Sequence, residues 1–212
     1  MIASGTLMHS GALRLAHRWT LLRRPGLSHA VVREFIRPAV RAVPASMARR
    51  LGHCRISLEI ADPTVASRWT ETEAGLAVSV MTAGSEDHDM AMELLLCLGQ
   101  ALWNRLSDGE LRDYWLVLDQ EIRAGISGEI EEQALEEKRS LLAGRVHARS
   151  RRQLARYGWA AFAGTAAEYV HCLWHEVTAR PGPDHLPAPQ LRRRLELLAG
   201  WFPPDRGHRL FG

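Results

Sequence analysis

The spacing of hydrophobic residues divides the chain into three parts. Short apolar helical runs lie at 29–37, where Pro38 is expected to end the helix, and after Pro44. Apolar and polar residues then alternate at 54–60, 67–71 and 76–82, which is the period of half-buried strands. From residue 85 onward apolar residues recur every three or four positions. The pattern predicts an α+β, mostly α fold in which a small antiparallel sheet, at about residues 53–82, precedes a helical bundle.

Turn and capping residues predict where the helices of the last part begin and end. The predicted helices lie at 85–106, 110–124, 129–146, 150–162, 165–179 and 190–199. Gly164 is predicted to separate the fourth from the fifth. The segment Thr165–Glu168 has the form of a capping box, whose first and last side chains bind backbone N–H groups at a helix start. Aromatic residues near the C-terminus are predicted to hold the tail against the body.

The helix predicted at 85–106 is apolar around most of its circumference. At about 100° per residue its polar side chains fall in one stripe. These residues are Asp89, Glu93, Cys97, Gln100 and Asn104. A stripe of this kind is either the solvent face of a helix or one wall of a site, and the sequence leaves both interpretations open.

A second polar stripe lies on the helix predicted at 165–179. Glu168, His171, Cys172 and His175 fall within about 100° of one another on a helical wheel. The i, i+4 spacing of the two histidines lets two imidazoles share one metal ion. The alternative is a solvated face on which Glu168 only closes its capping box.

If the two stripes face each other, they form a candidate site for zinc or another divalent metal. The candidate ligands are Glu93, Cys97, Glu168, His171 and His175. The side chains expected to line the same pocket are Asp89, Gln100 and Cys172.

Charge is distributed unevenly along the chain. Residues 1–28 contain no acidic residue, and residues 1–60 contain ten arginines against two glutamates, whereas the remainder is mildly acidic. We therefore predict a basic, poorly ordered N-terminal appendage at 1–28 and a single globular domain at 29–212. Because the basic segment has little aromatic interleaving, nucleic-acid binding is not expected. Only Lys138 among the 27 basic residues is a lysine, a bias that we attribute to genome base composition.

Cysteine number and hydropathy indicate the compartment. Cys54, Cys97 and Cys172 are odd in number and widely spaced, which excludes a disulfide framework and favours a reducing compartment. No apolar run approaches the length of a membrane span, and the N-terminus lacks a secretory hydrophobic region. The sequence thus predicts a cytoplasmic protein with no membrane partner.

The segment Leu96–Leu102, which reads LCLGQAL, resembles the H-E-L-G-H-A-L form of the zincin metallopeptidase motif H-E-x-x-H. Leu96 stands in place of the first histidine, Cys97 in place of the glutamate and Gln100 in place of the second histidine. The later stretch YGWAAFAGTAAE resembles the family segment that ends in a glutamate ligand, which implies that Glu168 occupies the third-ligand position. The resemblance covers roughly residues 53–177 and implies a zincin-like scaffold.

The three replacements remove the chemistry of that motif. Leu96 cannot bind a metal, and Gln100 is a poor zinc ligand. Nothing near Cys97 in the sequence would lower the pKa of its thiol, so it is not expected to act as a base. We therefore expect a protein without peptidase activity that acts by binding a protein or small molecule, without a cofactor. Two alternatives are a metal-dependent hydrolase or metal or redox sensor at the relocated site, and a helical protein-interaction module.

Overall fold

A computed structural model describes residues 10–23, 28–59, 65–82, 87–143, 151–175 and 182–211, which form a five-stranded mixed sheet and eight α-helices. The strands are β1 (Ser10–Arg14), β2 (Thr20–Arg23), β3 (Cys54–Glu59), β4 (Arg68–Thr72) and β5 (Gly75–Met81). The helices are α1 (His29–Val31), α2 (Arg37–Ala42), α3 (Ala45–Leu51), α4 (Asp87–Trp103), α5 (Asp108–Arg123), α6 (Glu132–Ala143), α7 (Arg151–Cys172) and α8 (Ala188–Trp201). The predicted α+β, mostly helical class is confirmed.

The sheet has the strand order β1-β2-β3-β5-β4. Strands β2, β3 and β5 are parallel, and the two edge strands β1 and β4 run antiparallel to their neighbours. The three predicted strands are present near their predicted positions, but the prediction of an antiparallel sheet is wrong for the β3–β5 pair. The chain passes from β3 to the far edge, forms β4, and returns as β5 beside β3, so β4 and β5 make a hairpin, as β1 and β2 do at the opposite edge.

The N-terminal part of the sheet lies within the segment that was predicted to be a poorly ordered appendage. Strands β1 and β2 come from residues 10–23, and Trp19 and Leu21 are fully buried. The Trp19 indole N–H donates a hydrogen bond to the Gly52 carbonyl at 2.9 Å. This stretch is therefore part of the domain, whereas residues 1–9 and 24–27 lie outside the described residues.

One face of the sheet faces the helices. Alternate side chains of the two central strands β3 and β5 are buried and belong to the same apolar core as the helices. They are Cys54, Ile56, Leu58, Leu76, Val78 and Val80. The period of two in the sequence thus identified the buried face of these two strands.

Two predicted helix boundaries differ from the structure. The helical run that begins at His29 continues past Pro38, because a π-helical turn over Val32–Ile36 leads into α2 and places the proline in its first turn, where no N–H is needed. The predicted break at Gly164 is also absent, since α7 is continuous. A Cβ at Gly164 would lie 2.8 Å from Glu131 Cγ, so this glycine serves close packing rather than a break.

The capping box predicted at Thr165 and Glu168 is therefore wrong. Thr165 lies in the interior of α7, is fully buried, and donates from its hydroxyl to the Ala161 carbonyl at 2.8 Å. Its oxygen also pairs with the Tyr114 hydroxyl of α5 at 2.8 Å. Helix α7 begins at Arg151, 14 residues before Thr165, so neither Thr165 nor Glu168 caps a helix start.

Four fully or almost fully buried charged side chains form a network between the last four helices. We call Glu121, Glu129, Lys138 and Arg194 the buried ion network. Arg194 of α8 donates to Glu121 of α5 at 3.0 Å and to Glu129 at 2.8 Å. Lys138 of α6 donates to Glu129 at 2.9 Å, and the Tyr157 hydroxyl of α7 donates to the same carboxylate at 2.6 Å. The network thus connects α5, α6, α7 and α8.

The network holds two positive and two negative charges, so it is neutral as a unit. Burial by itself raises the pKa of Glu129, but the charges of Arg194 and Lys138 and the donated hydrogen bonds lower it to about 2. Glu129 therefore remains ionised at neutral pH. Removal of any one member would leave a buried charge without its partner.

We predict that Lys138→Gln destabilises the protein by about 3–5 kcal/mol, because it leaves Glu129 only partly neutralised in the core. The matched control is Arg139→Gln, on the next residue, whose ion pair with Asp184 is mostly solvent-exposed and is expected to contribute less than about 1 kcal/mol. Urea unfolding followed by circular dichroism measures both. Equal free energies of unfolding for the two variants would contradict the prediction.

Candidate functional site

Helices α4 and α7 pack against each other more extensively than any other pair of described elements. They cross at Gly99, where an added Cβ would lie 2.8 Å from the Ala163 carbonyl oxygen and 3.1 Å from the Ala166 Cβ. The two helices run antiparallel, because Gly99 contacts Ala163 whereas His88, at the start of α4, contacts His171 near the end of α7. The crossing therefore brings the N-terminus of one helix beside the C-terminus of the other.

Three histidines and a glutamate meet where α4 begins and α7 ends. We call His88, His171, His175 and Glu168 the histidine cluster. The Nε2 atoms of His88 and His171 lie 3.1 Å apart, and His171 Nδ1 lies 3.2 Å from Glu168 Oε2. The His175 ring centroid is 5.8 Å from that of His88 and 5.7 Å from that of His171.

The contacts of His171 assign its tautomer. A carboxylate accepts hydrogen bonds only, so the Glu168 contact places the His171 proton on Nδ1. With that proton on Nδ1, a neutral His171 has its lone pair on Nε2, and the 3.1 Å contact then assigns the donated proton to His88 Nε2. His171 and Glu168 side chains are each 14% exposed, so this pair is well shielded yet reachable.

Two further aromatic rings border the cluster. The Trp174 ring centroid lies 4.8 Å from that of His175 and 6.2 Å from that of His88. Phe35 contacts His88 edge-on at 6.2 Å. The Trp174 indole nitrogen is buried and has no acceptor among the described residues, which is an unusual arrangement for a buried donor. Aromatic side chains therefore border the histidine cluster.

The structure brings together only part of the predicted site. Glu168, His171 and His175 share the cluster, although Cys97 of α4 is buried in the core at 2% exposure. Glu93 is half-buried on α4, one turn before Cys97, and lies close enough to raise the pKa of that thiol.

The residues predicted to line the pocket do not share one environment. Asp89 is mostly exposed, and its Oδ1 lies 4.0 Å from His88 Nδ1. Gln100 and Cys172 are both half-buried. The polar stripe of α4 thus passes from solvent at Asp89 into the core at Cys97, and it is not one continuous wall.

The cysteines are free thiols in shielded surroundings. Burial raises the pKa of Cys97 to about 12, with a further contribution from Glu93. Burial likewise raises the pKa of Cys54 and of Cys172 to about 12. All three thiols are therefore protonated at neutral pH, which disfavours a thiolate in redox chemistry.

Within the described part of the chain, no three His, Cys, Asp or Glu side chains are arranged so that they could hold a metal ion as they stand. Two imidazole nitrogens, His88 Nε2 and His171 Nε2, lie 3.1 Å apart. The relocated set of Glu93, Cys97, Glu168, His171 and His175 remains a prediction.

His88 is the member of the cluster that the sequence analysis missed. It lies outside the polar stripe of α4 and on the face that contacts α7. His88 and Gly99 are eleven residues apart, which at about 100° per residue places them about 20° apart on the wheel. The sequence offered one signal for this residue: His88 lies on the same face of the helix as Gly99, a small residue of the kind that allows two helices to cross closely.

Comparison with known proteins identifies no relative. No protein-family model, no curated protein and no solved structure matches the chain. No helix in the described residues combines the length and apolar composition that a membrane span requires.

We predict that Gly99→Ala lowers stability by about 1–3 kcal/mol, because the new methyl group would push α4 away from α7. Gly200→Ala is the matched control. Gly200 lies in α8, has open space around its Cβ position, and should gain about 0.5–1 kcal/mol from the better helix former. Thermal unfolding of the two variants should therefore shift in opposite directions, and a Gly99→Ala protein as stable as Gly200→Ala would disprove the close crossing.

We also predict that Cys54 and Cys97 do not react with a thiol-specific disulfide reagent at pH 8 while the protein is folded, because both are buried and protonated. Three thiols should react in denaturant, and Cys97→Ala should reduce that number by one without changing the native reaction. Rapid native labelling that disappears in Cys97→Ala would show an accessible thiolate.

Proposed function

We propose that this protein is a catalytically inactive, zincin-like scaffold that acts by binding, and that the histidine cluster is its binding site. The observation that carries the proposal is the burial of Cys97, which stands where the family has its catalytic glutamate. A general base must reach a water molecule beside the substrate, and a protonated thiol at 2% exposure does not.

The neighbouring positions support the same conclusion. Leu96 has no metal-binding atom, and Gln100 offers only a weakly binding amide. Zinc peptidases need two imidazoles on this helix to hold the ion that activates water. Glu168 of α7 is the only one of the four compared positions that keeps a family-type ligand, and its carboxylate here orients His171.

The layout of the fold is compatible with the scaffold that the resemblance implies. A sheet precedes the buried helix α4, and α7 carries Glu168 alongside it. Polar side chains lie at the start of α4, about two turns before Leu96, and at the end of α7. We therefore place binding of a protein or small-molecule ligand at the histidine cluster.

Three free thiols agree with a reducing compartment, and we propose the cytoplasm.

The proposal predicts that the purified protein does not hydrolyse peptide or protein substrates above the buffer rate. The assay uses a panel of fluorogenic peptides and denatured casein, with added zinc and with a chelator. The matched variant is Glu168→Gln, which would abolish activity in an active enzyme of this class. Hydrolysis that is lost both on chelation and in Glu168→Gln would overturn the proposal.

A further inference from the structure

We propose that His88, His171 and His175 together bind one divalent transition-metal ion of the zinc class, with Glu168 as the positioning residue for His171. This inference rests on the proposed function in taking the histidine cluster as the binding site, and it adds the class of ligand. It differs from the metal site predicted from the sequence, because Glu93 and Cys97 take no part and His88 replaces them.

The first two ligands already lie at the required separation. Zinc–nitrogen bonds of about 2.0–2.1 Å in a tetrahedral site place two ligand nitrogens about 3.3 Å apart. The Nε2 atoms of His88 and His171 are 3.1 Å apart. An ion bound to both nitrogens would lie to one side of the line between them, so each ring would tilt by about 35° while the nitrogens keep nearly their present separation.

The third ring occupies the position of a third ligand. Three imidazoles that share one tetrahedral zinc ion have ring centroids about 5 Å apart, given the same bond lengths. The centroids of the three histidines are 4.9, 5.7 and 5.8 Å apart, which is a nearly regular triangle. The three side chains are not arranged to hold an ion as they stand, but His175 is exposed, so its ring can turn without displacing core side chains.

Glu168 completes the arrangement as an outer partner. Histidines that bind metals commonly donate their second N–H to a carboxylate, which orients the ring and makes the free nitrogen a better ligand. His171 Nδ1 and Glu168 Oε2 form this pair at 3.2 Å. His88 Nδ1, on the other side of that ring, lies 4.0 Å from Asp89 Oδ1.

The chemistry of the donors selects the class of ion. Neutral imidazoles suit zinc, copper, nickel and cobalt, whereas magnesium and calcium prefer oxygen ligands. Three protein ligands leave a fourth position for water or for part of a bound molecule. The ion would thus give a binding protein a means of holding an anionic or electron-donating ligand at the end of the α4–α7 crossing.

The test is titration of the full chain, without a histidine tag, with zinc chloride by isothermal titration calorimetry. A parallel titration with cobalt chloride follows the visible absorption that reports tetrahedral nitrogen coordination. We expect one ion per chain. His88→Ala and His171→Ala should each abolish saturable binding, and His175→Ala should weaken it. Glu168→Gln should weaken binding by about tenfold or more, as loss of an outer partner does.

His53→Ala is the matched control, because His53 is exposed and lies directly before β3, outside the histidine cluster. It should bind zinc like the unmodified protein. Circular dichroism establishes that each variant is folded, and because His88 is half-exposed, His88→Ala is not expected to disturb the core. Absence of saturable binding, or binding unchanged in His88→Ala or His171→Ala, would overturn the inference.

The two proposals fail independently. Peptidase activity would remove the inactive-scaffold proposal whatever the zinc titration shows. Absence of zinc binding in a protein without peptidase activity would remove only the metal inference.

Discussion

The helical half of this protein depends on one constraint, which is that two cations and two carboxylates must neutralise one another away from water. Arg194 contacts both glutamates of the buried ion network, and Lys138 contacts one of them. Each charge alone would be costly to bury, so the three helices and the segment before α6 that carry the four side chains are stable only in positions that bring all of them together. The network therefore restricts how α5, α6 and α8 can be arranged.

The same constraint reaches the histidine cluster through α7. Tyr157 binds the network near the start of this long helix, and Thr165 binds Tyr114 in its middle. Gly99 then sets the distance to α4 by allowing backbone contact with Ala163. A continuous helix that is held at these points has little freedom left at its end, so His171 is placed beside the start of α4 by contacts about two to four turns away.

Periodicity predicted the parts of the fold that depend on which side of an element is buried. Alternation located β3 and β5 and their buried faces, but it carries no information on strand direction, so parallel pairing was missed. β2 was missed because it is only four residues long and ends in an arginine. Gly164 was taken for a helix break, although its conformation is helical and its role is to admit Glu131. Local patterns do not reveal contacts between elements.

The candidate site shows the same limit. The helical spacing of His171 and His175, with Glu168 one turn earlier, placed these three side chains near one another, and their role as ligands stays a prediction. His88 lies 83 residues away in sequence, so only the antiparallel crossing of two helices brings it there. The burial of Lys138 has a consequence of another kind. It is the only lysine in the chain and its amine is fully enclosed, so the folded surface offers no lysine to acetyl transfer, ubiquitin attachment or aldehyde fixation.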